Sequence, residues 1–236
     1  MVNVRLLSSN TVKATGLIFA SLFAWYLGYF FAEILPEDSL QTAIGSVQRI
    51  GEKPVVKAPL PKKQKCAVWR NCLPSEVVYS VRSGGSKSTL PKICLEDEIL
   101  LGTAKQPGDR GFNFIVVNPE TLKVTDTKTF DMYEGEYSGP MVEFINQIPN
   151  GFIILVASHD DPFTKLSDAA KKAFEDLGSK EIRNLKFRSG FVFLAIKGGT
   201  VPEYLEREKL IHSDSSRNRY GGWPAEIQID GCLPRK

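Results

Sequence analysis

Four cysteines, Cys66, Cys72, Cys94 and Cys232, constrain this chain more than any other feature, because all of them follow an uncharged stretch from Ala14 to Ala32. That stretch comes after Arg5 and Lys13 and stops at Glu33. A basic start followed by an apolar run of this length marks an export signal or a membrane anchor. The basic start and the short run favour a signal peptide over residues 1–32, with no stable membrane insertion after cleavage; a signal anchor is the rival. On either reading the remaining chain meets an oxidising compartment, where an even number of cysteines forms disulfides, here two. A zinc site is the alternative, but the spacings are irregular and neither His159 nor His212 completes a ligand pattern, so no metal or cofactor is expected. Four cysteines allow three pairings, and spacing does not choose among them. Cys232 closes the segment "AEIQIDGC", where Ile227 and Ile229 alternate with Glu226, Gln228 and Asp230. Period two predicts a half-buried terminal strand, held in place by its thiol.

From Glu33 to Lys65 the chain is rich in Pro and Lys, as in "GEKPVVKAPLPKKQK", and has no hydrophobic period. Residues 33–65 read as a solvated linker, and Lys62-Lys63 as a charge pair within it rather than a processing site. Residues 66–236 then form one domain, a size at which a single core fills well. Strands are predicted at Val77–Arg82, Lys92–Leu101, Phe112–Asn118, Lys123–Asp131, Phe152–Ser158, Phe191–Lys197 and Ala225–Asp230, from their β-branched and aromatic content. Helical spacing predicts three helices among them. The first carries Met141, Val142, Ile145 and Ile148 and is stopped by Pro149, Asn150 and Gly151; the second is capped by Ser167 and ended by Gly178; the third opens at Pro202 in "VPEYLEREKLI". Strands with helices at irregular intervals point to the α+β class with mainly antiparallel sheet.

Composition excludes little but does exclude something. A net charge of +3, without basic residues interleaved with aromatics, argues against a nucleic-acid partner. Catalytic chemistry has one candidate, "SHDDPFTK", in which His159, Asp160 and Asp161 follow an apolar strand. Adjacent residues of extended chain point to opposite sides, and Asp-Asp-Pro is turn chemistry that leads into a following helix, so a turn is the better reading. The glycines of "GTAKQPGDRGFNF" lack the spacing of a phosphate loop and read as a hairpin-type connection. No nucleophile elbow or zinc-protease motif is present, and the chain is read as a non-enzyme.

The segments "KICLEDEILL", "RGFNFIVVN", "FDMYEGEYSGP", "ASHDDPFTKL", "LGSKEIRNLKFRSGFVF" and "GGWPAEIQIDGCLP", taken together, resemble the family-with-sequence-similarity-three cytokine-like proteins. The resemblance extends to the linker and the apolar start and so covers almost the whole chain. It implies a secreted, hormone-like ligand of the endocrine pancreas that regulates insulin secretion and glucose and lipid metabolism through an unidentified cell-surface receptor. It also implies a compact β-β-α globule of two packed, mainly antiparallel sheets with flanking helices, and disulfides joining Cys66 to Cys94 and Cys72 to Cys232. A better-known relative carries a further, unpaired cysteine where this chain has Leu194, so its disulfide-linked dimer does not transfer and a monomer is expected. The domain type, called the GG domain, is similar to a sugar-binding stem domain of a glycosyltransferase, which makes a lectin-like module with a glycan partner the second reading. Sugar sites set an aromatic ring beside carboxylates, and the residues fitting that chemistry are Asp131, Tyr133, Glu134, His159, Asp160, Asp161 and Trp223. Against it, Trp223 between Gly222 and Pro224 reads better as a packed corner residue.

Overall fold

The computed structural model of the chain describes residues 10–34, 65–68 and 72–235. The Pro/Lys-rich linker, with its Lys62-Lys63 pair, lies outside the described residues except at its two ends. The first unit holds helix α1 (Asn10–Ile34), in which Val12–Glu33 is long and apolar enough to cross a membrane, a property that signal sequences share.

Among its described residues the second unit has nine strands. They are β1 (Glu76–Arg82), β2 (Lys92–Leu95), β3 (Glu98–Leu101), β4 (Gly111–Val117), β5 (Val124–Phe130), β6 (Ile153–His159), β7 (Gly190–Ile196), β8 (Glu208–Ile211) and β9 (Gln228–Pro234). Helix α2 (Ser138–Gln147) lies between β5 and β6, and helix α3 (Asp168–Asp176) between β6 and β7. The strands form a four-stranded sheet in the order β3-β2-β1-β9 and a five-stranded sheet in the order β5-β4-β6-β7-β8, with every pairing antiparallel.

Two apolar cores stack these elements into β, β and α layers. One core lies between the sheets, where Val77, Tyr79, Val81 and Ile229 meet Ile115, Leu155, Val192 and Leu194. The other lies between the five-stranded sheet and the two helices, where Phe112, Phe114, Phe191 and Phe193 meet Met141, Ile145, Ala170 and Phe174. The central sheet is thus covered on both faces, which is why β4 and β6 are buried at every residue, without alternation. The β9 strand has one buried face and alternates, with Ile229 and Leu233 inward.

The helix signals have the predicted physical basis. In α3 the Ser167 Oγ accepts from the Ala170 N–H at 3.2 Å, and Gly178 takes φ +96° just beyond the C-terminus. In α2 the Ser138 Oγ donates to the Lys165 carbonyl at 2.8 Å and accepts from the Ser167 N–H at 2.9 Å, which joins the starts of the two helices.

Four expectations need correction. The third helix does not form: after a single turn, in which the Leu205 N–H reaches the Pro202 carbonyl at 3.0 Å, the Arg207 carbonyl accepts from the Leu194 N–H at 2.7 Å and β8 begins. The buried strand β7 needs a partner for its outer backbone groups, and that need overrides a weak helical preference. The strand predicted over Lys92–Leu101 is a hairpin, because Glu96 and Asp97 both adopt positive φ, 51° and 75°. "GTAKQPGDRG" is not a hairpin connection but the crossover from β3 in one sheet to β4 in the other. The terminal strand starts later than Ala225 and runs on through Cys232 to Pro234, paired to β1 along its length.

The disulfides join Cys66 to Cys94 and Cys72 to Cys232, across 28 and 160 residues of chain. This is the pairing that the resemblance implied. Cys232 lies opposite Val78 in the ladder between β1 and β9, so the covalent tie and the ladder hold the same strand.

Candidate functional site

The residues picked out for ligand chemistry gather at one end of the five-stranded sheet. There β4 begins, β5 and β6 end and β7 begins; the register pairs Gly111 with His159 and Phe112 with Phe130. They do not form one cluster, because two arginines that the sequence reading passed over divide them into groups.

Arg110, just before β4, organises the first group. Its Nε lies 3.1 Å from both carboxylate oxygens of Asp131, and its Nη2 lies 2.7 Å from Asp131 Oδ2 and from Glu134 Oε1. Its guanidinium carbon also lies 5.0 Å from the centre of the Tyr133 ring, which is 45 % exposed. Asp131 Oδ1 accepts in addition from the Tyr133 and Glu134 amides at 2.8 and 3.2 Å, closing the turn after β5. Burial alone would raise the Asp131 pKa; the hydrogen bonds from Arg110 and from the two amides outweigh it and hold the carboxyl below its usual value.

Arg188 organises the second. Its Nε donates to Asp160 Oδ1 at 3.1 Å, and its guanidinium carbon lies 3.8 Å from the centre of the Trp223 ring and 5.0 Å from that of Phe187. Asp160 and Arg188 both have left-handed backbone, φ 53° and 55°, which an aspartate tolerates and an arginine adopts rarely. Trp223 is partly buried, as a corner residue would be: its amide reaches the Tyr220 carbonyl at 3.3 Å and its own carbonyl accepts from Ser213 Oγ at 3.3 Å and from Asn218 Nδ2.

His159 and Asp161 look inward. The His159 side chain is closely packed, and neither ring nitrogen has a hydrogen-bond partner among the described residues. A Cβ on Gly84 would come within 2.3 Å of the ring, so the glycine is what admits it. Burial lowers the imidazole pKa, against the opposing pull of Asp160 and Asp109. Asp161 is 1 % exposed, and its Oδ1 accepts from the Phe163 and Thr164 amides at 2.9 and 3.3 Å. "SHDDPFTK" therefore closes a turn that leads into α3, and His159, Asp160 and Asp161 do not converge on a common point. Cys72, Glu76 and Cys232 are near enough to hold a metal, but both sulfurs are in a disulfide.

No short-range pattern announces Arg110 or Arg188. Their partners Asp131 and Asp160 lie 21 and 28 residues away in sequence and meet them only because the sheet brings strand ends together.

The described domain is thus a disulfide-tied β-β-α module whose charged groups at this end of the sheet are arranged as paired clusters. Comparison with known proteins gives the family. Residues 110–199, from the start of β4 to just beyond β7, match the family described as interleukin-like EMT inducer. The chain is 48 % identical to human Protein FAM3B over 99 % of both chains. It is 38 % identical to human Protein FAM3C over 75 % of this chain and 76 % of that one, and 34 % identical to human Protein FAM3A over 78 % and 79 %. The chain belongs to the FAM3 family of cytokine-like proteins.

Proposed function

We propose that this chain is a secreted, hormone-like ligand of the endocrine pancreas that regulates insulin secretion and glucose and lipid metabolism through a cell-surface receptor. It acts as a monomer, without catalysis or cofactor. The observation that carries the reading is its similarity to human FAM3B from end to end. The apolar helix α1 and the two disulfides support passage through the secretory pathway. All four cysteines pair within the chain, which supports a monomer. The arginine-paired carboxylates Asp131 and Asp160 support a binding surface over an acid-base site.

The test uses labelled protein from the medium of cells expressing the whole chain, bound to islet and liver cells before and after enzymatic removal of surface glycans. The expected result is saturable binding that survives deglycosylation, disappears on surface proteolysis and accompanies a change in glucose-stimulated insulin release. Retention of the protein in the cell membrane, or unsaturable binding, overturns the reading.

One observation favours a second reading, a lectin-like module. The partly exposed Trp223 ring, linked to Asp160 through Arg188, and the Tyr133 ring, linked to Asp131 and Glu134 through Arg110, are aromatic surfaces with carboxylates in their surroundings, as sugar sites have. In the same assay, loss of binding on deglycosylation and competition by free N-acetylglucosamine would put this reading first.

A further inference from the structure

Strand β5 is an outer strand of the five-stranded sheet, and Asp126 and Lys128 in its middle are exposed. Which of its backbone groups face outward follows from the ladders. The Lys197 N–H bonds the Phe152 carbonyl at 2.9 Å, so Phe152 and Lys197 are a directly bonded pair. Such pairs recur at every second residue of an antiparallel ladder and alternate between the two sides of each strand. Across the sheet they fall at Ile154 with Ala195, Leu155 with Ile115, and Phe114 with Lys128. Asp126 and Lys128 therefore turn their backbone groups toward β4, while Thr127 turns its own away from the sheet. On that side the Thr127 N–H meets Asp126 Oδ1 at 3.1 Å.

The order Asp126-Thr127-Lys128 is complementary to itself under a two-fold axis. When a second copy of β5 lies antiparallel to the first, with the axis at Thr127, the N–H and C=O of the two Thr127 residues exchange bonds. Asp126 of each copy then falls opposite Lys128 of the other, at positions where facing side chains come closest. Neither Asp126 nor Lys128 has an ion pair among the described residues. The one contact given up is the bond from the Thr127 N–H to Asp126, and the carbonyl of the second copy replaces it. Charges on an edge strand turn away partners that do not match them. A second copy of this strand matches both.

We propose that β5 is a self-association edge, through which two copies of the chain join reversibly into one continuous sheet held by the Thr127 backbone bonds and two Asp126–Lys128 ion pairs. No covalent tie is involved. The ladder with β4 shifts register beside Thr125, which keeps the regular edge short. The association is accordingly weak and belongs to high protein concentration, and dilution returns the monomer proposed above to act on cells.

The test is sedimentation equilibrium of protein purified from cells expressing the full chain, over a series of concentrations at low and high salt. The expected mass rises from one chain toward two with concentration, and rises less at high salt. Asp126→Lys and Lys128→Asp each make both cross-strand pairs repulsive and should weaken association at least about tenfold. Mixed in equal amounts, the two variants are complementary again and should form a mixed dimer, which also shows that each of them folds. The variant carrying both changes should associate as the native chain does. A mass of one chain at every concentration up to about 1 mM, association that the single variants leave unchanged, or no recovery in the mixture would each overturn the proposal.

Discussion

His159 and Arg188 show what single residues contribute at the end of the central sheet. The His159 ring is 8 % exposed and its pKa is lowered, so the native state takes up its proton at lower pH than the unfolded chain does. Its share of stability is complete above about pH 6.5, the ordinary histidine value, and is lost as pH falls from there toward the folded pKa. We expect the urea midpoint to drop between pH 7.5 and 5.5 more steeply in the native protein than in His159→Phe; parallel curves would show that the ring is solvated. Arg188 stacks on Trp223 and pairs with Asp160 from a left-handed backbone. Arg188→Ala should cost about 1–2 kcal/mol, the sum of a partly desolvated cation–π contact and a half-buried ion pair, measured as a shift in denaturant midpoint at unchanged slope. Arg188→Lys should recover only part of it, because an ammonium cannot lie flat on the indole while bonding the carboxylate.

Among the elements, α3 is the one whose local signals and tertiary role agree most closely. Its cap, its stop and its apolar stripe of Ala170, Ala173 and Phe174 all place one face on the central sheet. Phe174 is fully buried and lies within 5.1 to 6.0 Å, centre to centre, of Phe112, Phe114, Phe191 and Phe193. Phe174→Ala leaves a cavity that four strand phenylalanines cannot close together, and a loss of about 3–5 kcal/mol is expected in equilibrium unfolding. Phe174→Leu should cost much less, since it keeps most of the volume. Strand β8 is the contrasting element. Its own sequence reads as the end of a helix, and it is a strand because β7 lies beside it.

For the whole molecule, the two disulfides and the sheet topology act together. Strand β9 enters the four-stranded sheet from the far end of the chain and pairs with β1, the first strand of the domain. Its contacts are therefore of the longest range the domain allows, and the Cys72–Cys232 bond closes 160 residues of chain around them. In the chain-entropy description a loop of this length contributes up to about 5 kcal/mol, and the Cys66–Cys94 loop of 28 residues up to about 3.5 kcal/mol. Replacing Cys72 and Cys232 together by serine should lower stability by several kcal/mol and raise hydrogen exchange first in β9 and then in β1. Replacing Cys66 and Cys94 should cost less. Equal losses for the two pairs would mean that the loops are not what sets their worth.

By itself the sequence determined the apolar N-terminal segment, the presence of disulfides, the strand-rich α+β class, α2 with its stop and α3 with its cap. These follow from composition and from periods of two and 3.6 residues, which are local quantities. Resemblance across the whole chain added the family and the cysteine pairing, which spacing left open. Only the tertiary structure decided that Lys92–Leu101 turns back at Glu96 and Asp97, that the segment after Pro202 becomes a strand, and that "GTAKQPGDRG" passes between sheets. It also decided that the proposed ligand residues divide around Arg110 and Arg188, and that His159 and Asp161 face inward. In each of these cases the deciding partner lies far away along the chain: a ladder, an ion pair or a glycine-lined gap whose free energy exists only once distant segments meet.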